Sequence, residues 1–235
     1  MATLVLSCGR TGTNLTVSIL QGNPYFNIDS RIENRTIFNP VSQYPSTYLC
    51  KSDVTYLPHI DKLLRLLEIN KEMKVVWTIR DPRDVLLSKI KRGQLIKDGG
   101  DNTGSPSEDS TVEGAIESLT SMYNAYRQCI EKYSERCILV KMEDILLDIE
   151  GESKKMCNFL NIEYHPNMLN FTNRIIDIKK KRYGNKIDKS QVALWKNWET
   201  IYDKFFTIKG LDMEIHFTKI KDMISYFNYG TTVVA

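Results

Sequence analysis

Four short apolar runs, separated by stretches whose apolar residues recur at helical spacing, constrain the fold of this chain more than any other feature. The runs are "TLVLS" (3–7), "TYLCK" (47–51), "KVVWTI" (74–79) and "CILVK" (137–141). Continuous β-branched and apolar runs of this kind suit strands buried on both faces. Between them lie "NLTVSIL" (14–20), "YLPHIDKLLRLLEI" (56–69) and "PRDVLLSKIKRG" (82–93). After the fourth comes "EDILLDIEGESKKMCNFL" (143–160), expected to break near Gly151. Strands alternating with helices predict an α/β fold with a central parallel sheet of about four to five strands flanked by helices. The length of 235 residues suits a single domain, 1–235, and no internal repeat or domain boundary is legible. In such sheets ligands gather beyond the carboxyl ends of the strands.

Composition narrows the partners. With 42% hydrophobic and 26% charged residues the chain is of ordinary globular type. A net charge of +3 is too small to argue for nucleic-acid binding, although "KKKR" (179–182) with Arg80 and Arg83 makes a locally basic face possible. Five cysteines without a CxxC pair read as buried free thiols, which points weakly to a reducing compartment. No run approaches the roughly 18 apolar residues of a membrane span. The first strand begins near residue 3, so no leader or anchor is expected. A soluble cytoplasmic protein is the expectation.

The first strand runs into "SCGRTGTN" (7–14). Beyond a strand, the first turn of a helix carries N–H groups without helical partners and a partial positive charge. Gly9 and Gly12 permit a tight turn and close backbone approach to an anion, Thr11 and Thr13 add hydroxyl donors, and Arg10 adds a permanent bidentate cation. The kinase pattern G-x-x-x-x-G-K-[ST] fails, because Gly12 is followed by Thr13 and Asn14. On its own residues this stretch is either a phosphate-cradling loop or an ordinary strand–helix turn.

In "WTIRDPRDVLLSKIKRG" (77–93) the third strand ends at Arg80 and a helix start follows. Asp81 is a capping residue, and Pro82 suits the first helical position, where its missing N–H is not needed. Ser88 then falls about two turns into the helix, where it and Arg80 can share one anion. Arg83 and Asp84 read as an exposed ion pair.

With these two segments the chain resembles the sulfotransferase family that uses 3′-phosphoadenosine 5′-phosphosulfate (PAPS). The family's [KR]-[ST]-G-T loop, which binds the 5′-phosphosulfate, is matched by "RTGT" (10–13). Its strand-end arginine, with a serine eight positions on, holds the 3′-phosphate and is matched by Arg80 and Ser88. "CILVKMEDIL" with "CNFLNI", and "KRYGNKIDKSQVALWKNW", resemble two further family segments. The resemblance implies a single α/β domain related to nucleotide kinases, PAPS as donor with 3′,5′-adenosine bisphosphate (PAP) as product, and no metal. It assigns Arg10, Thr11, Gly12 and Thr13 to the phosphosulfate; because sulfuryl transfer builds charge on the leaving phosphate, Arg10 is the candidate to stabilise it, supported by the backbone N–H groups of Gly12, Thr13 and Asn14. Arg182, Tyr183 and Gly184, from the late basic loop, are candidates to close over the nucleotide, or else part of a solvated charged face.

Two departures leave alternatives open. Lys51 matches a family position near the sulfuryl group, but where many members carry a catalytic His two residues later, this chain has Asp53. Asp53 is either the general base or a cap for the following helix, and Asp29 and Glu33 are further candidates for the base. Leu15 stands where several members stack an aromatic on the adenine; Trp195 or Tyr183 could enclose the base, or serve only packing. The acceptor, a small molecule, carbohydrate or peptide carrying a hydroxyl or amine, is not legible. "KDGGDNTGSPSEDST" (97–111) is either a connector or a flap over its pocket. A nucleotide-binding protein without turnover and an ATP-dependent kinase remain the competing readings.

Overall fold

The structure, a computed structural model, describes residues 2–27, 44–53, 60–97, 111–171, 192–197 and 213–230. Four strands form one parallel sheet among these residues: β1 (Thr3–Ser7), β2 (Leu49–Asp53), β3 (Lys74–Ile79) and β4 (Cys137–Lys141), in the order β2-β1-β3-β4. The order follows from burial. Every residue of β1 is buried, as is all of β3 after Lys74, whereas β2 and β4 mix buried with half-buried residues. The two most deeply buried strands take the centre, and the two with several half-buried positions take the edges.

The chain divides into two compact units. One comprises Met1–Ile79 with Asn124–Lys189, and the other Arg80–Tyr123 with Ser190–Ala235. The first unit holds the sheet with α1 (Thr13–Leu20), α2 (Asp61–Ile69), α5 (Met142–Leu147) and α6 (Ile149–Leu160). The second holds α3 (Pro82–Lys97), a short 3-10 turn Leu194–Asn197, α7 (Met213–Lys219) and α8 (Lys221–Tyr226); α4 (Val112–Tyr133) runs across the boundary.

Helix packing in the first unit follows its apolar spacing. Leu63, Leu66 and Leu67 bury one stripe of α2. The end of that helix is held by Arg136, whose Nη1 donates to the carbonyls of Leu67 (2.9 Å) and Lys71 (2.8 Å). Such an arrangement satisfies C-terminal carbonyls and places a cation at the negative end of the helix dipole. Trp77 is fully buried and meets Tyr126 of α4 edge-on at 5.7 Å. All five cysteines are free and buried, as their spacing suggested.

Three boundaries differ from the sequence reading. The second strand spans 49–53 rather than 47–51, because Tyr48 N–H is taken by Pro45 C=O in a turn and pairing with β1 starts at Thr3 opposite Leu49. The break in the helix after β4 falls at Asp148, not near Gly151. Asp148 leaves helical geometry (φ −143°, ψ 80°) and its carboxylate accepts Gly151 N–H at 2.9 Å, capping α6. A Cβ on Gly151 would stand 2.2 Å from Asp148 Oδ2, so the glycine serves the cap. The 22-residue α4 has no counterpart in the sequence reading, although its buried stripe of Val112, Ala115, Leu119, Met122, Tyr126 and Cys129 recurs at helical spacing.

Candidate functional site

The turn after β1 is built on left-handed backbone. Gly9, Arg10 and Gly12 have φ of 74°, 61° and 86°. Two glycines adopt this region freely; for Arg10 it carries strain, a condition concentrated at functional positions. Gly12 is the N-cap of α1, and no side chain caps the helix, so its first N–H groups are left to another acceptor. A Cβ on Gly12 would stand 3.0 Å from Met142 Cγ, at the start of α5. Arg10 and Asn14 are exposed, and Gly12 and Thr13 half-buried.

A knot of hydroxyls lies beneath the turn. Ser7 Oγ is 2.5 Å from Thr13 Oγ1 and accepts Gly9 N–H at 3.1 Å. Thr78 Oγ1, near the end of β3, lies 3.1 Å from Thr11 Oγ1 and 3.0 Å from Thr13 Oγ1. Thr11 is fully buried, its hydroxyl turned toward Thr13 and Thr78. The expected donor role of its hydroxyl thus becomes a supporting one. Sequence reasoning missed Thr78, whose partners Thr11 and Thr13 lie 67 and 65 positions away in the sequence.

Lys51 and Asp53 share one face of β2, since alternate residues of a strand do so. In register, Lys51 stands beside Val5, and Asp53 beside Ser7, at the carboxyl end of the sheet where the turn begins. Asp53 is the last strand residue, and the N-cap of α2 is Ile60, so Asp53 does not cap that helix. Asp29, Glu33, Arg182, Tyr183 and Gly184 lie outside the described residues.

In the second unit, Asp81 opens α3 as anticipated: its Oδ1 accepts Arg83 N–H at 3.0 Å. The expected exposed pair of Arg83 with Asp84 is not formed. Arg83 is 3% and Asp84 0% exposed. Arg83 instead binds Asp81 through two hydrogen bonds (2.9 and 2.7 Å), donates to Gly230 C=O at 2.9 Å and lies 3.3 Å over the Trp195 ring. Asp84 Oδ1 accepts Trp195 N–H at 2.7 Å, its Oδ2 accepts Leu194 N–H at 3.3 Å, and the same oxygen lies 3.5 Å from Arg80 Nη2. Trp195 is therefore a packing residue of this unit, held by ring and backbone. The half-buried Ser88 sits one turn beyond Asp84 on α3.

A left-handed glycine turn entering a helix from the central strand of a parallel sheet defines a protein of the phosphate-binding-loop α/β class. The chain belongs to the sulfotransferase family: a model described as "Sulfotransferase family" matches residues 33–166, over half of its length. Solved structures agree in fold. The sulfotransferase domain from the curacin biosynthetic pathway aligns over 98% of both chains at 15% identity with a TM-score of 0.68. The corresponding domain of the Synechococcus PCC 7002 olefin synthase aligns at 13% identity over 98% of this chain and 95% of its own, with a TM-score of 0.66. Mouse SULT7A1, solved in complex with PAP, aligns at 16% identity over 94% of this chain and 88% of its own, with a TM-score of 0.59. No curated protein matches in sequence. Membership of the sulfotransferase family supports sulfuryl transfer as the activity. No helix among the described residues is long and apolar enough to cross a membrane.

Proposed function

We propose that this sulfotransferase takes its sulfuryl group from PAPS, releases PAP, and delivers the group to a hydroxyl or amine of a small-molecule, carbohydrate or peptide acceptor in the cytoplasm. The observation that carries the reading is the left-handed run Gly9–Arg10–Gly12 opening an α1 without side-chain cap. Its geometry suits a phosphosulfate, whose oxygens need converging N–H donors and a cation. The PAP complex of mouse SULT7A1, which shares the fold, supports the choice of donor.

When bound, the donor supplies an activated sulfuryl group on a phosphate leaving group. Arg10 stabilises the charge that builds on that leaving phosphate; an arginine holds its proton, so its part is electrostatic. Backbone N–H groups of Gly12, Thr13 and Asn14 orient the phosphosulfate, and Thr11 fixes Thr13 from below. Arg80 and Ser88 bind the 3′-phosphate, and Arg182, Tyr183 and Gly184 close over the nucleotide. Lys51 stands near the transferred group, and Asp53, with Asp29 and Glu33 as alternatives, accepts the acceptor's proton.

Thermal-shift measurements test the donor. Stabilisation by PAP without magnesium is expected; stabilisation by magnesium-ATP alone would sink the reading. The aspartate at position 53 favours one second reading, a nucleotide-binding protein without turnover. Transfer of label from radioactive PAPS to an acceptor panel, lost in Asp53→Asn with PAP binding intact, would dismiss it.

A further inference from the structure

The second half of the "RDPRD" segment (80–84) is not explained by phosphate binding, yet it is among the most buried charge in the protein. Arg80, Asp81, Arg83 and Asp84 are each no more than 5% exposed. Buried charges persist when each is paired and hydrogen-bonded. Asp84 is hydrogen-bonded by the backbone N–H groups of Leu194 and Trp195 and ion-paired with Arg80 through one Nη2 at 3.5 Å. Its place in the first turn of α3 adds the favourable end of the helix dipole. Arg83, braced by Asp81, covers the Trp195 ring.

We propose that Asp84 is a positioning residue for the 3′-phosphate: one carboxylate fixes the guanidinium of Arg80 and ties it to the backbone of Leu194 and Trp195. The inference rests on the assignment of Arg80 to the 3′-phosphate. A guanidinium of fixed rotamer loses little entropy on binding a phosphate, whereas a wandering one must be ordered first. The arrangement makes Asp84 a determinant of selectivity for 3′-phosphorylated nucleotides, although it carries the same sign of charge as the ligand. Two simpler roles predict otherwise. A carboxylate needed only for folding would change affinity for all adenine nucleotides alike. A carboxylate that merely opposes the anion would, on removal, tighten PAP.

The test compares dissociation constants of PAP and adenosine 5′-phosphate by titration calorimetry for wild type, Asp84→Asn, Arg80→Ala and the double variant. Asparagine keeps size and one acceptor for Trp195 N–H but turns an amide donor toward Arg80. Wild type is expected to prefer PAP. Arg80→Ala should reduce the preference by about tenfold or more, and Asp84→Asn by about five- to tenfold. In the Arg80→Ala background Asp84→Asn should add nothing, since it acts through the arginine. If Asp84→Asn does not fold, Asp84→Glu carries the test, with the charge kept but displaced by a methylene. A folded variant with an unchanged or increased preference for PAP overturns the inference, as does a full additional loss in the double variant. A wild type without preference for PAP removes the assignment of Arg80 itself, and this inference with it.

Discussion

The hydroxyls of Thr13 and Thr78 meet at 3.0 Å, joining the first residue of α1 to the penultimate residue of β3 across 65 positions of sequence. With Ser7 and Thr11 they form a four-hydroxyl knot on which the anion-binding turn rests. Thr78→Val keeps the shape and removes the central hydroxyl. The fully buried Thr11 hydroxyl then loses a partner, and stability should fall by about 1–2 kcal/mol in urea unfolding. PAP affinity should weaken severalfold, and Thr78→Ser should restore both.

Arg10 separates stability from function. Its φ of 61° costs an L-residue about 1–2 kcal/mol, of which glycine recovers part after its own chain entropy. Arg10→Gly should therefore raise the melting temperature by a degree or two, while Arg10→Ala should not. Both should lower kcat by more than tenfold with a smaller change in PAP dissociation constant, the pattern of a contact strengthened in the transition state. Equal losses in kcat and affinity would contradict that role.

Gly12 answers to two constraints at once. At φ 86° an alanine is strained, and its Cβ would press on Met142 Cγ at 3.0 Å. Gly12→Ala should destabilise the fold by about 1–3 kcal/mol in denaturant titration. Pairing it with Met142→Ala should give a total loss smaller than the sum of the two single losses, because the contact is relieved while the backbone strain remains.

Arg80→Ala and Ser88→Ala should each weaken PAP binding by roughly ten- to hundredfold, the range of hydrogen bonds to a charged group. Adenosine 5′-phosphate, which lacks the 3′-phosphate, should be affected far less. Calorimetry with the two nucleotides checks both assignments.

Thiol chemistry offers a check on burial. All five cysteines are buried, and burial pushes the Cys157 thiol above the ordinary range. A raised value leaves less thiolate at any given pH, and the thiolate is the species that reacts. The sulfurs of Cys129 and Cys137 lie 3.3 Å apart, and their hydrogen bond drives Cys129 up and Cys137 down. At pH 8 the native protein should react slowly with an aromatic disulfide reagent, and five thiols should appear in denaturant.

The strands and the turn were legible because their signals are local. Apolar runs marked the four strands, and the two glycines marked a tight turn, which the structure builds on left-handed backbone. The strain at Arg10 was not legible, since no side-chain rule places arginine at positive φ. Nor were Thr78, Asp84 or the stacking of Arg83 on Trp195, which depend on residues more than sixty positions apart in sequence. Read in isolation, Arg83 and Asp84 looked like a solvated ion pair; each in fact turns to a different partner in the buried interior of its unit.

The strand order carries a consequence for how the protein is made. Among the described strands β1 is synthesised first, its neighbours β2 and β3 end only at Asp53 and Ile79, and β4 follows at Cys137–Lys141. Every strand pairing among the described residues is parallel, so none of these can form as a hairpin. A nascent chain must therefore carry the buried, largely apolar β1 without partners through dozens of elongation steps. That interval favours slow folding and leaves β1 exposed to aggregation until its neighbours emerge.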